Sequence, residues 1–151
     1  MADGEATGPF EPATGEGPAV SGADREAAVR AALDGLLRIR RVLAGPAASA
    51  PAPWERLQPV RAIAIALEAA GIPPSAVDGE GARITTGYRA SAAERPGSVR
   101  VEWLGPPGSG AEYEAGASLG RCATALRPLG WVALAYRGPR RHHYLEVEPD
   151  G

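Results

Sequence analysis

The sequence predicts an α+β fold of two layers: a four-stranded, mainly antiparallel sheet with two helices on one face. Three observations lead there. Two stretches carry apolar residues at spacings of three and four, and each is closed by a glycine, Gly71 and Gly130. Each is followed by two runs that alternate apolar and polar residues. The two units also align: Ala66-Leu67 matches Ala125-Leu126, Gly71-Ile72 matches Gly130-Trp131, and Val60, Ile63 and Ala64 match Leu119, Cys122 and Ala123. The order is thus helix–strand–strand (αββ), written twice as an internal repeat.

An extra amphipathic helix and a disordered N-terminal tail are expected ahead of this unit. Residues 1–20 are acidic and rich in glycine and proline, with Phe10 as their one large apolar side chain. Such a segment buries too little apolar surface to offset its ordering entropy, so it is predicted to be disordered.

Residues 21–44 predict the extra helix. Ser21 and Asp24 are candidate N-caps, Glu26 suits the positive end of the dipole, and Gly45-Pro46 stops it. Val29, Ala32, Leu36, Ile39 and Leu43 form its stripe, widened by Leu33 and Val42. Residues 45–53 (GPAASAPAP) read as a proline-stiffened linker. The linker leaves that helix able to meet a partner, through Val29, Leu33, Leu36, Ile39 and Leu43.

Residues 54–149 are then a single α+β domain. Its first helix spans 54–71, with Pro59 interrupting the start and Ile72 folding back as in a Schellman motif. Residues 75–82 read as a loop. Ile84, Thr86 and Tyr88 alternate on one predicted strand, and Val99, Val101 and Trp103 on the next. The second helix covers about 112–127 with Leu119, Cys122, Ala123 and Leu126 inward. Val132, Leu134 and Tyr136 alternate on the third strand, and His143, Leu145 and Val147 on the fourth. The predicted core joins the two helical faces to Ile84, Tyr88, Val99, Val101, Trp103, Val132, Leu134, Leu145 and Val147.

Charge narrows the function. The net charge is −2 in 151 residues, which argues against a generally basic nucleic-acid binder. All 16 cationic residues are arginine, a bias that GC-rich codon usage explains more simply than phosphate recognition does. The single cysteine excludes an internal disulfide and fits a reducing compartment. With no apolar run of membrane-spanning length and no visible secretory leader, a cytoplasmic location without membrane contact is expected.

No catalytic residue, metal site or cofactor is implied. Cys122 lies among Leu119 and Leu126 on an apolar face, the setting of an inert thiol. His142 and His143 are adjacent and point to opposite sides of a strand, so they do not converge on one metal. The one charged cluster without a structural explanation is the hairpin tip, residues 137–142, with Arg137, Arg140, Arg141 and His142. Its counterpart in the first unit, Glu94-Arg95-Pro96-Gly97, is near neutral.

The first functional expectation is a small protein-interaction or regulatory domain with a protein partner or a second copy of itself. The alternative is anion or nucleic-acid binding through the basic tip, with salt-dependent affinity. A third is a small-ligand pocket or an enzyme site between sheet and helices, supported only by the fold's capacity for a cleft.

Overall fold

Residues 10–150 are described by the computed structural model; residues 1–9, residue 151 and the Arg141 side chain lie outside the described set. Apolar periodicity sets the helices. α1 (Ala23–Ala44) begins after Gly22, rather than at Ser21 or Asp24, and ends at Gly45. Pro59 divides the next helical stretch, since a proline nitrogen cannot donate to the preceding turn. The result is a short α2 (Pro53–Leu57) and then α3 (Pro59–Ala69). At its end Gly71 adopts φ 83°, and the Ile72 amide donates to the Leu67 carbonyl at 3.2 Å. That six-to-one bond is the Schellman closure.

The predicted first strand is split. Ala76–Val77 (β1) and Arg83–Thr85 (β2) pair as a separate small hairpin, and the main sheet starts at β3 (Gly87–Ala92). Gly87 marks the break. A Cβ there would fall 2.3 Å from the Pro73 carbonyl oxygen, so only glycine lets the backbones approach. Ile84 consequently lies exposed on the small hairpin and not in the core.

β4 (Val99–Leu104), α4 (Ala111–Leu126), β5 (Trp131–Arg137) and β6 (His143–Pro149) complete the chain. The four-stranded sheet has the order β3-β4-β6-β5, antiparallel throughout. Two hairpins meet along β4 and β6. Exchanging them leaves the strand order unchanged.

Tyr88, Ala90, Val99, Val101, Trp103, Trp131, Ala133, Leu145 and Val147 face the helices. They meet Ile63, Ala66 and Leu67 of α3 and Leu119, Cys122, Ala123 and Leu126 of α4. Val132 and Leu134 point to the opposite side of β5, and Leu134 is exposed. The parity of strand β5 therefore differs from the predicted one: Trp131 and Ala133 carry its core face.

α3 is buried from Ala62 to Leu67, on all sides. A helix with one face on a sheet does not need that, and two further segments supply the cover. One is α1, whose Leu36 belongs to the same apolar cluster as Ile63 and Leu67. The other is residues 10–20, the inner half of the acidic stretch. They form an extended strap rather than a free tail, while the disorder expected of residues 1–9 falls outside the described residues. Thr14 accepts from the Ala90 amide at 2.8 Å, Ala13 donates to Glu68 at 3.1 Å and accepts from the Tyr88 hydroxyl at 2.7 Å. Backbone pairing holds the strap, so its poor apolar content is no obstacle.

Candidate functional site

The proline-rich segment 45–53 is fastened at its far end. Arg40 donates Nε and Nη2 to the two carboxylate oxygens of Glu55 at 2.8 and 2.6 Å. Glu55 also accepts from the Ala52 amide at 2.9 Å. The segment then passes over Gly130, where a Cβ would fall 2.2 Å from the Ser49 carbonyl oxygen. Of the predicted partner-facing residues, Val29 and Leu36 are turned inward and Leu33 is half-buried. Ile39 and Leu43 remain 43% and 62% exposed, with Val42 beside them. The helix meets the rest of the chain from Arg25 to Arg40, and its exposed large apolar side chains are Ile39, Val42 and Leu43 toward its end.

The face of the sheet away from the helices is polar at one side and aromatic at the other. Glu16 of the strap pairs with Arg89, which lies 3.7 Å from Glu102. Glu102 in turn meets His142 Nε2 at 2.7 Å. These charges cross from the strap through β3 and β4 to the root of the hairpin tip. Arg100 sits over the Tyr144 ring at 4.1 Å, and Tyr144 stacks on Tyr136 with centroids 5.6 Å apart. That second row runs from β4 through β6 to β5.

The predicted basic tip is a tight turn, Pro139–Arg141, with Arg140 in the left-handed region at φ 59°. Arg137 and Arg140 are exposed, and neither has an ion-pair partner among the described residues. The Arg141 side chain lies outside the described residues. Arg140 and His142 share a cleft of about 340 Å³ with Trp103, Glu112 and Pro139, at the start of α4. His142 is engaged by Glu102, and Glu112 brings negative charge into the same cleft. The tip's positive field is therefore weaker than its sequence implies.

Burial pushes the Cys122 thiol up to about 12, with nearby Arg121 opposing it weakly. Burial likewise raises the Tyr88 hydroxyl far above the ordinary phenol range. Both groups are neutral packing elements at neutral pH. Arg25 moves upward because it hydrogen-bonds Glu68, at 2.6 and 2.8 Å, against the opposing effect of burial. That pair ties α1 to α3 beside the strap.

The two edges of the sheet differ sharply. On β3 the strap and the turn before it take up the outward backbone groups. Besides the Ala90–Thr14 bond, Ser75 donates to Tyr88 at 2.9 Å and Tyr88 donates to Pro73 at 3.0 Å. β5 has no such cover. Gly138 donates to His142 and Asp150 donates to Gly130, which brackets the β5–β6 ladder. The alternation of an antiparallel ladder then turns the backbone groups of Val132, Leu134 and Tyr136 toward β6. Those of Trp131, Ala133, Ala135 and Arg137 point outward. Among the described residues the one contact on this row is Arg127 Nη2 to the Ala133 carbonyl at 3.4 Å. Leu134 and Tyr136, 49% and 43% exposed, flank the same edge. The segment Trp131–Arg137 contains no proline, no bulge and a single charge, at its end. Those are the devices that ordinarily blunt an open edge. Strand order decides which strand lies outermost, and the sequence alone did not reveal it.

Among the described residues no helix is long and apolar enough to cross a membrane, and no cluster of three or more His, Cys, Asp or Glu has metal-binding geometry. Comparison with protein-family models, with curated proteins and with solved structures finds no match.

Proposed function

We propose that the chain is a protein-interaction domain that accepts a partner strand along β5. The observation that carries this reading is the contrast between the two sheet edges. The β3 edge is occupied by two segments of the chain itself, while the β5 edge presents outward amides and carbonyls with Leu134 and Tyr136 beside them. Strand addition uses those backbone groups for affinity and the flanking side chains for selectivity. The α1 end, with Ile39, Val42 and Leu43 exposed, supplies a second apolar surface but no array of free backbone donors. The anion-binding alternative has Arg137 and Arg140 in its favour, yet Glu102 and Glu112 stand against it at the same tip.

The test is a photo-activated cross-linker placed at Leu134 in producing cells. Adducts are expected, and Ala135→Pro should remove them, because it deletes one outward donor without touching the ladder to β6. Absence of adducts, or adducts indifferent to Ala135→Pro, would sink the reading.

A further inference from the structure

The hairpin β5–β6 has its charge sorted by end. Arg137, Arg140, Arg141, His142 and His143 cluster at the tip, and Glu146, Glu148 and Asp150 follow toward the open end. Within one chain this sorting is only partly used. Glu148 meets Arg95 at 3.3 Å and His142 meets Glu102, while Arg137 and Arg140 have no ion-pair partner among the described residues. An arrangement that lays two such hairpins side by side, head to tail, uses the rest.

We infer that the strand received by β5 is β5 of a second copy, paired antiparallel about a two-fold axis at Leu134 to give a continuous eight-stranded sheet. This rests on the strand-addition reading above and names its partner. Antiparallel strands exchange hydrogen bonds between residues whose backbone groups point toward each other. With the axis at Leu134, Ala133 of one copy pairs with Ala135 of the other, and Trp131 with Arg137. All four are outward residues, so the ladder closes without a slip. On the open face Leu134 meets its own equivalent and Val132 meets Tyr136, both apolar contacts. The Arg127 guanidinium, which touches the Ala133 carbonyl at 3.4 Å, has to turn aside to free that acceptor for the incoming strand.

The same register sets the basic tip of each copy at the end of the other where Glu148 and Asp150 lie, one strand in from the new seam. A parallel arrangement would place tip against tip and acid against acid. Charge sorting therefore selects the antiparallel dimer over the parallel one. It also disfavours an acidic or a basic peptide as occupant, because either would meet repulsion at one end of β5. Such two-fold, self-complementary contacts are the commonest way that soluble chains associate.

Sedimentation of the full chain over a wide concentration range, together with hydrogen exchange, tests the inference. A monomer–dimer equilibrium is expected, with the Ala133 and Ala135 amides gaining protection as dimer forms. Ala135→Pro should raise the dimer dissociation constant by about tenfold or more. Should that variant fail to fold, Leu134→Arg serves independently. It sets two guanidinium groups opposite each other at the axis, while Glu146, its cross-strand neighbour, supports the monomer. It should leave the circular dichroism unchanged and weaken the dimer by a similar factor.

A chain that stays monomeric at every concentration overturns the inference, as does a dimer that both variants leave intact or whose Ala133 and Ala135 amides exchange freely. A monomer that still gives proline-sensitive cross-links in cells would overturn the second-copy partner and leave strand addition standing. A monomer with no cross-links would overturn both.

Discussion

Arg40 and Glu55 form a two-point ion pair whose side chains are 2% and 0% exposed. It fastens the end of α1 to α2 and closes the loop between them over Gly130. Each charge was moved out of water to make this contact, and the other is its compensation. Removing one partner leaves a buried, unpaired charge. Glu55→Ala should therefore destabilise the fold by about 3–5 kcal/mol. Replacing both residues by apolar ones of similar size, Arg40→Met with Glu55→Leu, should recover most of that loss. Urea unfolding of the two variants checks the pair. Equal losses in the single and double variants would mean that the guanidinium packs rather than pairs.

The strap gives a second prediction. Gly15 sits at φ 97°, and a Cβ there would fall 2.5 Å from the Tyr88 carbonyl oxygen and 2.7 Å from Arg89 Cα. Both neighbours are backbone of β3, so neither can yield cheaply. Gly15→Ala should lift residues 10–17 from the edge of β3. The effect is about 1–3 kcal/mol if the strap opens as part of the global transition. Hydrogen exchange at Ala90, whose amide is held by Thr14, should accelerate while the Leu145 and Val147 amides stay slow. Uniform acceleration would show instead that the strap and the core unfold as one.

How far these features can be read from sequence depends on which force sets each of them. Leu119, Cys122 and Leu126 were placed by periodicity, and Gly71 with Ile72 by cap chemistry, because both signals are local. The strap was missed because composition measures side-chain burial, whereas Thr14 and Ala13 are held through their backbone. Ile84 was misplaced because β2 pairs with β1, a choice made by the close approach at Gly87. The stripe on α1 was nearly right. Val29 and Leu36 turn inward, but the continuation is Arg40 and not Ile39 or Leu43, since Glu55 waits there as a buried partner. At the site, exposure of Arg137 and Arg140 was legible. The open edge of β5 was not, because it follows from strand order.

The alkaline limb of stability follows from two buried acids. Cys122 is displaced from 9.0 up to about 12, mainly by burial, and Tyr88 is raised further still. Both protons are held more tightly in the folded chain than in the unfolded one. Their contribution is complete below about pH 9 and is lost as pH climbs through the folded value. Stability should thus fall from about pH 9 toward pH 12, and Cys122→Ala should flatten the first part of that slope. At pH 8 the native thiol should resist a disulfide reagent and react fully in urea. Rapid labelling of the native chain would show that α4 opens locally.

The docking of α1 can be separated from its exposed end by single truncations. Leu36 is 4% exposed and belongs to the cluster that includes Ile63 and Leu67, whereas Leu43 is 62% exposed. Leu36→Ala removes three carbons from a closed site and should cost about 2–5 kcal/mol. Leu43→Ser and Ile39→Ser remove comparable carbon from solvent-facing positions and should change stability by no more than about 0.5 kcal/mol each. Thermal or urea unfolding of the three variants supplies the comparison. The contrast matters because the sequence offers one continuous stripe, while the fold divides it. If Leu36→Ala were as mild as Leu43→Ser, α1 would be a detachable arm and the cover over α3 would have to come from the strap alone. A large loss at Leu36 alone establishes the helix as part of the core, with Ile39, Val42 and Leu43 left to meet anything else.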